Sequence, residues 1–194
     1  MTSHKQRIGI LAAITAVAVV ALFFVGPIPQ DPDYHQFADG RQLHGVRNFC
    51  NVMSNIPFVI VGAFGLTRYS RLAHGEGASE YLVICIGALL VGFGSAYYHH
   101  DPSNESLLWD RLPMTVAFMA LLSLLLEERV LQTRRHYLLW MLVTLGAGSA
   151  LYWSWTEGLG RGDLRPYALV QFLPVVLMPL ILLFCVVGSF AINN

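Results

Sequence analysis

Long apolar runs separated by short polar gaps dominate the chain. The runs 8–25, 52–66, 81–98, 112–126, 137–153 and 167–192 each approach the length of about 20 residues that a helix needs to cross a hydrocarbon core. They predict an all-α integral membrane protein with about six transmembrane helices. The short gaps make the bundle antiparallel, and all of residues 1–194 read as one transmembrane domain with no soluble domain or internal repeat. The first run follows His4, Lys5 and Arg7 and stops at "GPIPQDPD". It is long for a signal-peptide core and no Ala-x-Ala cleavage site follows, so it reads as an uncleaved first span. Pro57, Pro174 and Pro179 fall within spans, where neighbouring helices satisfy the carbonyls a proline frees.

Composition agrees with this pattern. Of 194 residues, 55% are hydrophobic and 12% charged, against about 25% charged in soluble domains. The lipid bilayer is therefore the first partner, and a formal net charge of zero gives nucleic acid no electrostatic footing. Cys50, Cys85 and Cys185 lie in or beside apolar runs without close spacing and read as small buried hydrophobes. The excess of basic residues in cytoplasmic loops orients the bundle. With the N-terminus cytoplasmic, Lys5, Arg7, Arg68, Arg71, Arg129, Arg134 and Arg135 lie inside. Arg41, Arg47, Arg111, Arg161 and Arg165 then lie outside. So do Asp31, Asp33, Asp39, Asp101, Glu105, Asp110, Glu157 and Asp163, with His35, His44, His99 and His100. Polar chemistry gathers at the outer mouth, on the periplasmic or luminal side.

The densest polar gap is "GSAYYHHDPSNESLLWDRLPM". Ser95 and His99 are one helical turn apart and share a face. His99 offers an imidazole nitrogen to a metal, and Ser95 beneath it can donate to a bound oxygen. The turn-rich loop after His100 returns the chain, so Asp110 at the opening of the next helix comes back near His99. A carboxylate there can orient a water or take its proton. Blander roles compete: Ser95 bonding its own helix, His99 at the interface, Asp110 capping a helix start. His100 points about 100° away from His99 and reads as a supporting residue. In "NFCNVMSN", Asn48, Asn51 and Asn55 form a polar face on an apolar helix, either as ligands or as interhelical hydrogen-bonding groups. "TEGLGRGDLRPYALVQF" adds Glu157, Asp163, Arg165 and the membrane-embedded Gln171.

Three blocks together resemble the alkaline ceramidases and the bacterial ceramidase-like proteins of the CREST hydrolase superfamily. "NFCNVMSN" is similar to the family's Phe-x-Asn-x-x-Ser-Asn helix, "GSAYYHH" to its Ser-x-x-x-His motif and "WDRLPM" to its Asp-x-Leu-Pro-Met motif. The resemblance implies a zinc-dependent amidase that cleaves the amide of ceramide, with Asp110 activating water, Ser95 assisting the oxyanion and His99 as a zinc ligand. It also implies two further zinc histidines in a His-x-x-x-His motif on a final helix, and this sequence contains no such motif. The family's calcium site would draw on Asp33 or Asp39, yet Asn48 stands where the family has an acid.

Catalytic zinc uses three protein ligands plus water, so His99 and one carboxylate form half a site. His35, His44, Glu157 and Asp163 are the remaining candidates to complete it, and no spacing argument supports them. The expectations are a ceramidase-like lipid amide hydrolase at the outer face or, alternatively, a non-catalytic or C-terminally shortened relative that binds lipid or serves as scaffold. A channel or transporter is disfavoured, because no charged pair lies mid-span.

Overall fold

A computed structural model describes residues 4–72, 75–133 and 136–184; Arg134, Arg135, Cys185 and the end of the sixth run lie outside the described residues. The chain is all-α. Six long helices are α1 (His4–Ala21), α3 (Ile56–Leu72), α4 (Ala78–His100), α5 (Asn104–Leu125), α6 (His136–Gly158) and α7 (Arg165–Phe184), with a short α2 (Phe49–Met53) before α3. Among the described residues, five segments are long and apolar enough to cross a membrane: Lys5–Phe24, Phe49–Arg71, Ala78–His100, Tyr137–Gly158 and Arg165–Leu183. α5 is equally long but carries Glu105, Asp110 and Arg111 in its first turns. Its neighbours screen the last two, since Asp110 and Arg111 are buried, while Glu105 is exposed near the turn. The outside of the bundle is apolar instead, with Val61, Phe64, Phe93, Trp140, Phe172 and Leu183 exposed, as a lipid-facing surface requires.

Helices α3, α4, α5 and α6 pack side by side in chain order, and glycine sets how closely. A Cβ on Gly62 of α3 would meet the backbone of Leu89 and Cys85, and one on Gly92 of α4 would meet Val59. Gly87 of α4 faces Ala117 of α5, and Gly146 of α6 faces Met119 and Thr115. In lipid there is little hydrophobic drive between helices, so close van der Waals approach at small residues does the work. α1 stands apart from this core. It packs on α7, and the cleft of about 730 Å³ between it and α5, α6 and α7 is lined almost wholly by apolar side chains such as Leu11, Met119, Leu122 and Leu177.

The turn between α4 and α5 is built by a capping box. The Ser103 hydroxyl accepts from the Ser106 amide (3.1 Å), and the Ser106 hydroxyl accepts from the Ser103 amide (3.0 Å). These bonds satisfy two of the donors that a helix start leaves open. The helix therefore begins at Asn104, and Asp110 sits well inside it rather than at its opening. That removes the capping role for Asp110. The apolar run starts later than the helix because α5's first turns are polar.

Candidate active site

Antiparallel helices joined by so short a turn place residues at equal depth when they are equally far from it. At ~1.5 Å per residue, Ser95 lies about 8 Å below the end of α4 and Asp110 about 9 Å below the start of α5. Gly94 brings the two helices together at this level. A Cβ on Gly94 would collide with the carbonyl oxygen of Trp109, with the Asp110 amide 3.5 Å away. Pro113 explains why that carbonyl is available. It sits inside α5, four residues after Trp109, and has no N–H to give it. The freed Trp109 oxygen turns against α4, and the next residue, Asp110, is held against Ser95.

Ser95 and Asp110 are both buried, each 7% exposed. Ser95 is a hydrogen-bonding neighbour of the Asp110 carboxylate, and His99 and Arg111 lie close enough to act on it electrostatically. His99 is half-buried, its Nδ1 is shielded from solvent without a hydrogen-bond partner, and its ring packs on Phe37 at 4.8 Å. The structure thus brings Ser95, His99 and Asp110 together. His100 is exposed and turns away from them.

The remaining candidates hold the surrounding structure. Asn48, in a left-handed conformation at the start of α2, donates from Nδ2 to the His99 carbonyl (2.8 Å). Asn51 donates to the Asp39 carbonyl (3.4 Å), and Asn55 donates back to the Asn51 carbonyl (2.9 Å). Asp39 pairs with Arg41 (2.5 Å), whose guanidinium holds the carboxyl below its usual range. His35 pairs through its two ring nitrogens with the Tyr98 hydroxyl (3.1 Å) and Asn104 Oδ1 (2.9 Å). Glu157 accepts the Gln30 amide (3.0 Å).

Asp163 lies in the turn between α6 and α7 and takes a two-pronged grip from Arg165, with both bonds at 2.8 Å. Arg165 in turn donates to the Leu22 and Val25 carbonyls (3.3 and 2.6 Å) at the end of the first span, a favourable place for a cation. The guanidinium holds the Asp163 carboxyl below its usual range. A carboxylate depressed in the folded state contributes stability above its unfolded pKa of about 3.9, and that contribution fades as pH falls through the lower folded value. Asp163→Asn is therefore expected to melt earlier than the parent at pH 7, with the difference shrinking as pH falls below about 3.9. Thermal melts across that range check it, and a gap that persists in acid would refute the assignment.

The metals implied by the sequence resemblance can be tested on these donors. Among the described residues no group of three or more His, Cys, Asp or Glu side chains comes together to hold an ion. His99, with its free buried nitrogen, suits one zinc position, but the donor set around it falls short of a catalytic zinc site. Asp39 fits calcium no better: one carboxylate already neutralised by Arg41 is far from the six to eight oxygens calcium takes.

Arg111 is the residue that sequence reasoning passed over. It is buried (5% exposed), donates to Gln30 Oε1 (2.7 Å), and lies over the rings of Trp153 (4.1 Å), Tyr167 (4.7 Å) and Tyr34 (5.5 Å). Its place beside Asp110 was the only available signal. No curated protein and no solved structure matches the chain. A family model, Ceramidase, matches residues 43–186, more than half of the sequence and a stretch that holds Ser95, His99 and Asp110. With that match and the membrane-type helical fold beneath it, the chain belongs to the ceramidase family of hydrolases.

Proposed function

We propose that the site is that of a hydrolase for the amide bond of ceramide or a closely related lipid amide at the outer face of the membrane, zinc-dependent once donors beyond Ser95, His99 and Asp110 complete the metal centre. The observation that carries the reading is the meeting of Ser95 and Asp110 at one depth between α4 and α5, with His99 one turn above them on the same face of α4. Asp110 accepts the proton of the attacking water, as a carboxylate beside the scissile bond can. Ser95 sits where its hydroxyl can turn from the carboxylate to the oxyanion that develops on the amide oxygen. His99 presents Nδ1 from the rim. The flanking helix surfaces are apolar, which suits a substrate with long hydrocarbon chains. The outer placement rests on the arginines Arg68 and Arg71, which put the α3–α4 turn on the cytoplasmic side.

Zinc dependence needs donors beyond the three residues, because a lone imidazole does not make a catalytic zinc site. The purified 194-residue chain is therefore expected to carry well under one zinc per molecule and to release little fatty acid from a ceramide probe. Adding a C-terminal helix with His-x-x-x-His should raise both, and His99→Ala should cancel the gain. Stoichiometric zinc in the unextended chain, measured by elemental analysis, would show that other residues complete the site. In intact cells, with the native cysteines replaced, a membrane-impermeant thiol reagent should label a cysteine at Ser103 and spare one at Gln132; the reverse pattern would invert the orientation.

The short donor set also favours a second reading, a family member that binds the lipid amide without turning it over. Binding of a ceramide probe to the purified chain, with no product even after the histidine helix is supplied, would decide for it.

A further inference from the structure

The segment between α1 and α2 crosses the outer end of α4 and α5, where Ser95, His99 and Asp110 meet. It is tied down at several points. The Gln30 amide bonds Glu157 and its side-chain oxygen accepts from Arg111. Leu164 donates to the Ile28 carbonyl (2.8 Å). His35 bridges Tyr98 and Asn104, and Phe37 packs on both Tyr98 and His99 (5.6 and 4.8 Å). Several of these ties converge on Tyr98 of α4, which meets Tyr34, His35 and Phe37. Arg111 spans more elements: it engages α6 through Trp153, α7 through Tyr167 and the crossing segment through both Gln30 and Tyr34.

We propose that Arg111 is a positioning residue whose guanidinium clamps the segment from Gln30 to Phe37 across the mouth of the site, so that Phe37 stays seated on His99. Its consequence for turnover rests on the amide-hydrolase reading above; the clamp itself does not. The chemistry suits arginine in particular. A planar guanidinium stacks on aromatic faces while its edge still donates to an amide oxygen, and it keeps its charge when buried. Lysine keeps the charge but loses the planar stack and the fork. Arg111 touches none of the reacting atoms; it acts through the segment it holds above them and through its charge beside Asp110.

Two variants break the clamp from opposite ends. Arg111→Lys removes the stacking, and Gln30→Ala removes the acceptor on the crossing segment without touching Ser95, His99 or Asp110. Hydrogen exchange on the full chain in detergent reads the result. Amides of the segment, including those of Gln30, Tyr34 and Gln36, which are bonded to Glu157, Asp31 and Asp33, are expected to exchange about tenfold faster or more in both variants. Peptides from α3 and α4 should keep the parental rate. Where turnover is measurable, kcat should fall at least about fivefold with KM within about twofold, the pattern of a lost arrangement rather than of lost substrate binding. Unchanged exchange in the segment overturns the proposal. So does faster exchange throughout the bundle, which would make Arg111 a general support of the fold. If no lipid amide is turned over by any form, the exchange result still decides the clamp, and the failure falls on the amide-hydrolase reading alone.

Discussion

Asp110→Asn is expected to lower lipid-amide turnover by about a hundredfold to ten-thousandfold, the usual worth of a positioned general base, in any preparation that shows activity. Asparagine is nearly the same shape and still presents polar atoms to Ser95, so the α4–α5 packing should survive. What it lacks is a proton-accepting carboxylate at the depth of Ser95. Because His99 and not Asp110 carries the free imidazole nitrogen, zinc content in the histidine-extended form should stay near that of its parent. Turnover within a fewfold of the parent would remove Asp110 from the chemistry. Lost zinc together with lost turnover would recast it as a ligand.

The second large effect is expected from Gly94→Val. A Cβ at this position has no space, because the Trp109 carbonyl occupies it, and a backbone carbonyl cannot swing away as a side chain can. The helices must part, at a cost of about 1–3 kcal/mol or more. The separation falls at the level of Ser95 and Asp110, so turnover should fall along with the melting temperature. Gly148→Val is the matched control. It lies on α6, where an added Cβ meets nothing within 4 Å, and both stability and turnover should stay close to the parent. If Gly94→Val melts and turns over like Gly148→Val, the close approach of α4 and α5 does not position the site.

These two predictions differ in how visible their grounds are in the sequence. Asp110 stands out because charged residues are rare in a chain this apolar, and its spacing from His99 across a turn-forming loop already suggests that the two meet. The role of Gly94 does not stand out. Seventeen glycines are scattered along the chain, and only the packed helices show that this one faces a carbonyl. The proline that frees the carbonyl is legible in "WDRLPM", four residues after Trp109, but the sequence does not say which neighbour the freed oxygen will face.

Local regularities fixed what the sequence by itself determined. The apolar runs set the helical class and the membrane setting, the one-turn spacing put Ser95 and His99 on a common face, and the short polar gap forced α5 back along α4. Each depends on residues a few positions apart, where helix geometry leaves little choice. The start of α5 was set by local bonds too, but by serine hydroxyls at Ser103 and Ser106 rather than by hydrophobicity, so the apolar run alone placed Asp110 too near the helix end. The surroundings of the site were decided only by the tertiary structure. Gln30, Tyr34, Arg111, Trp153 and Tyr167 come from four separate parts of the chain, and three of them are aromatic residues in a sequence with many lipid-facing aromatics. Trp153 is fully buried under Arg111 while Trp155, two residues on, is 64% exposed. The two are alike in chemistry, and what separates them is which face of α6 meets α5, a matter settled by how whole helices pack.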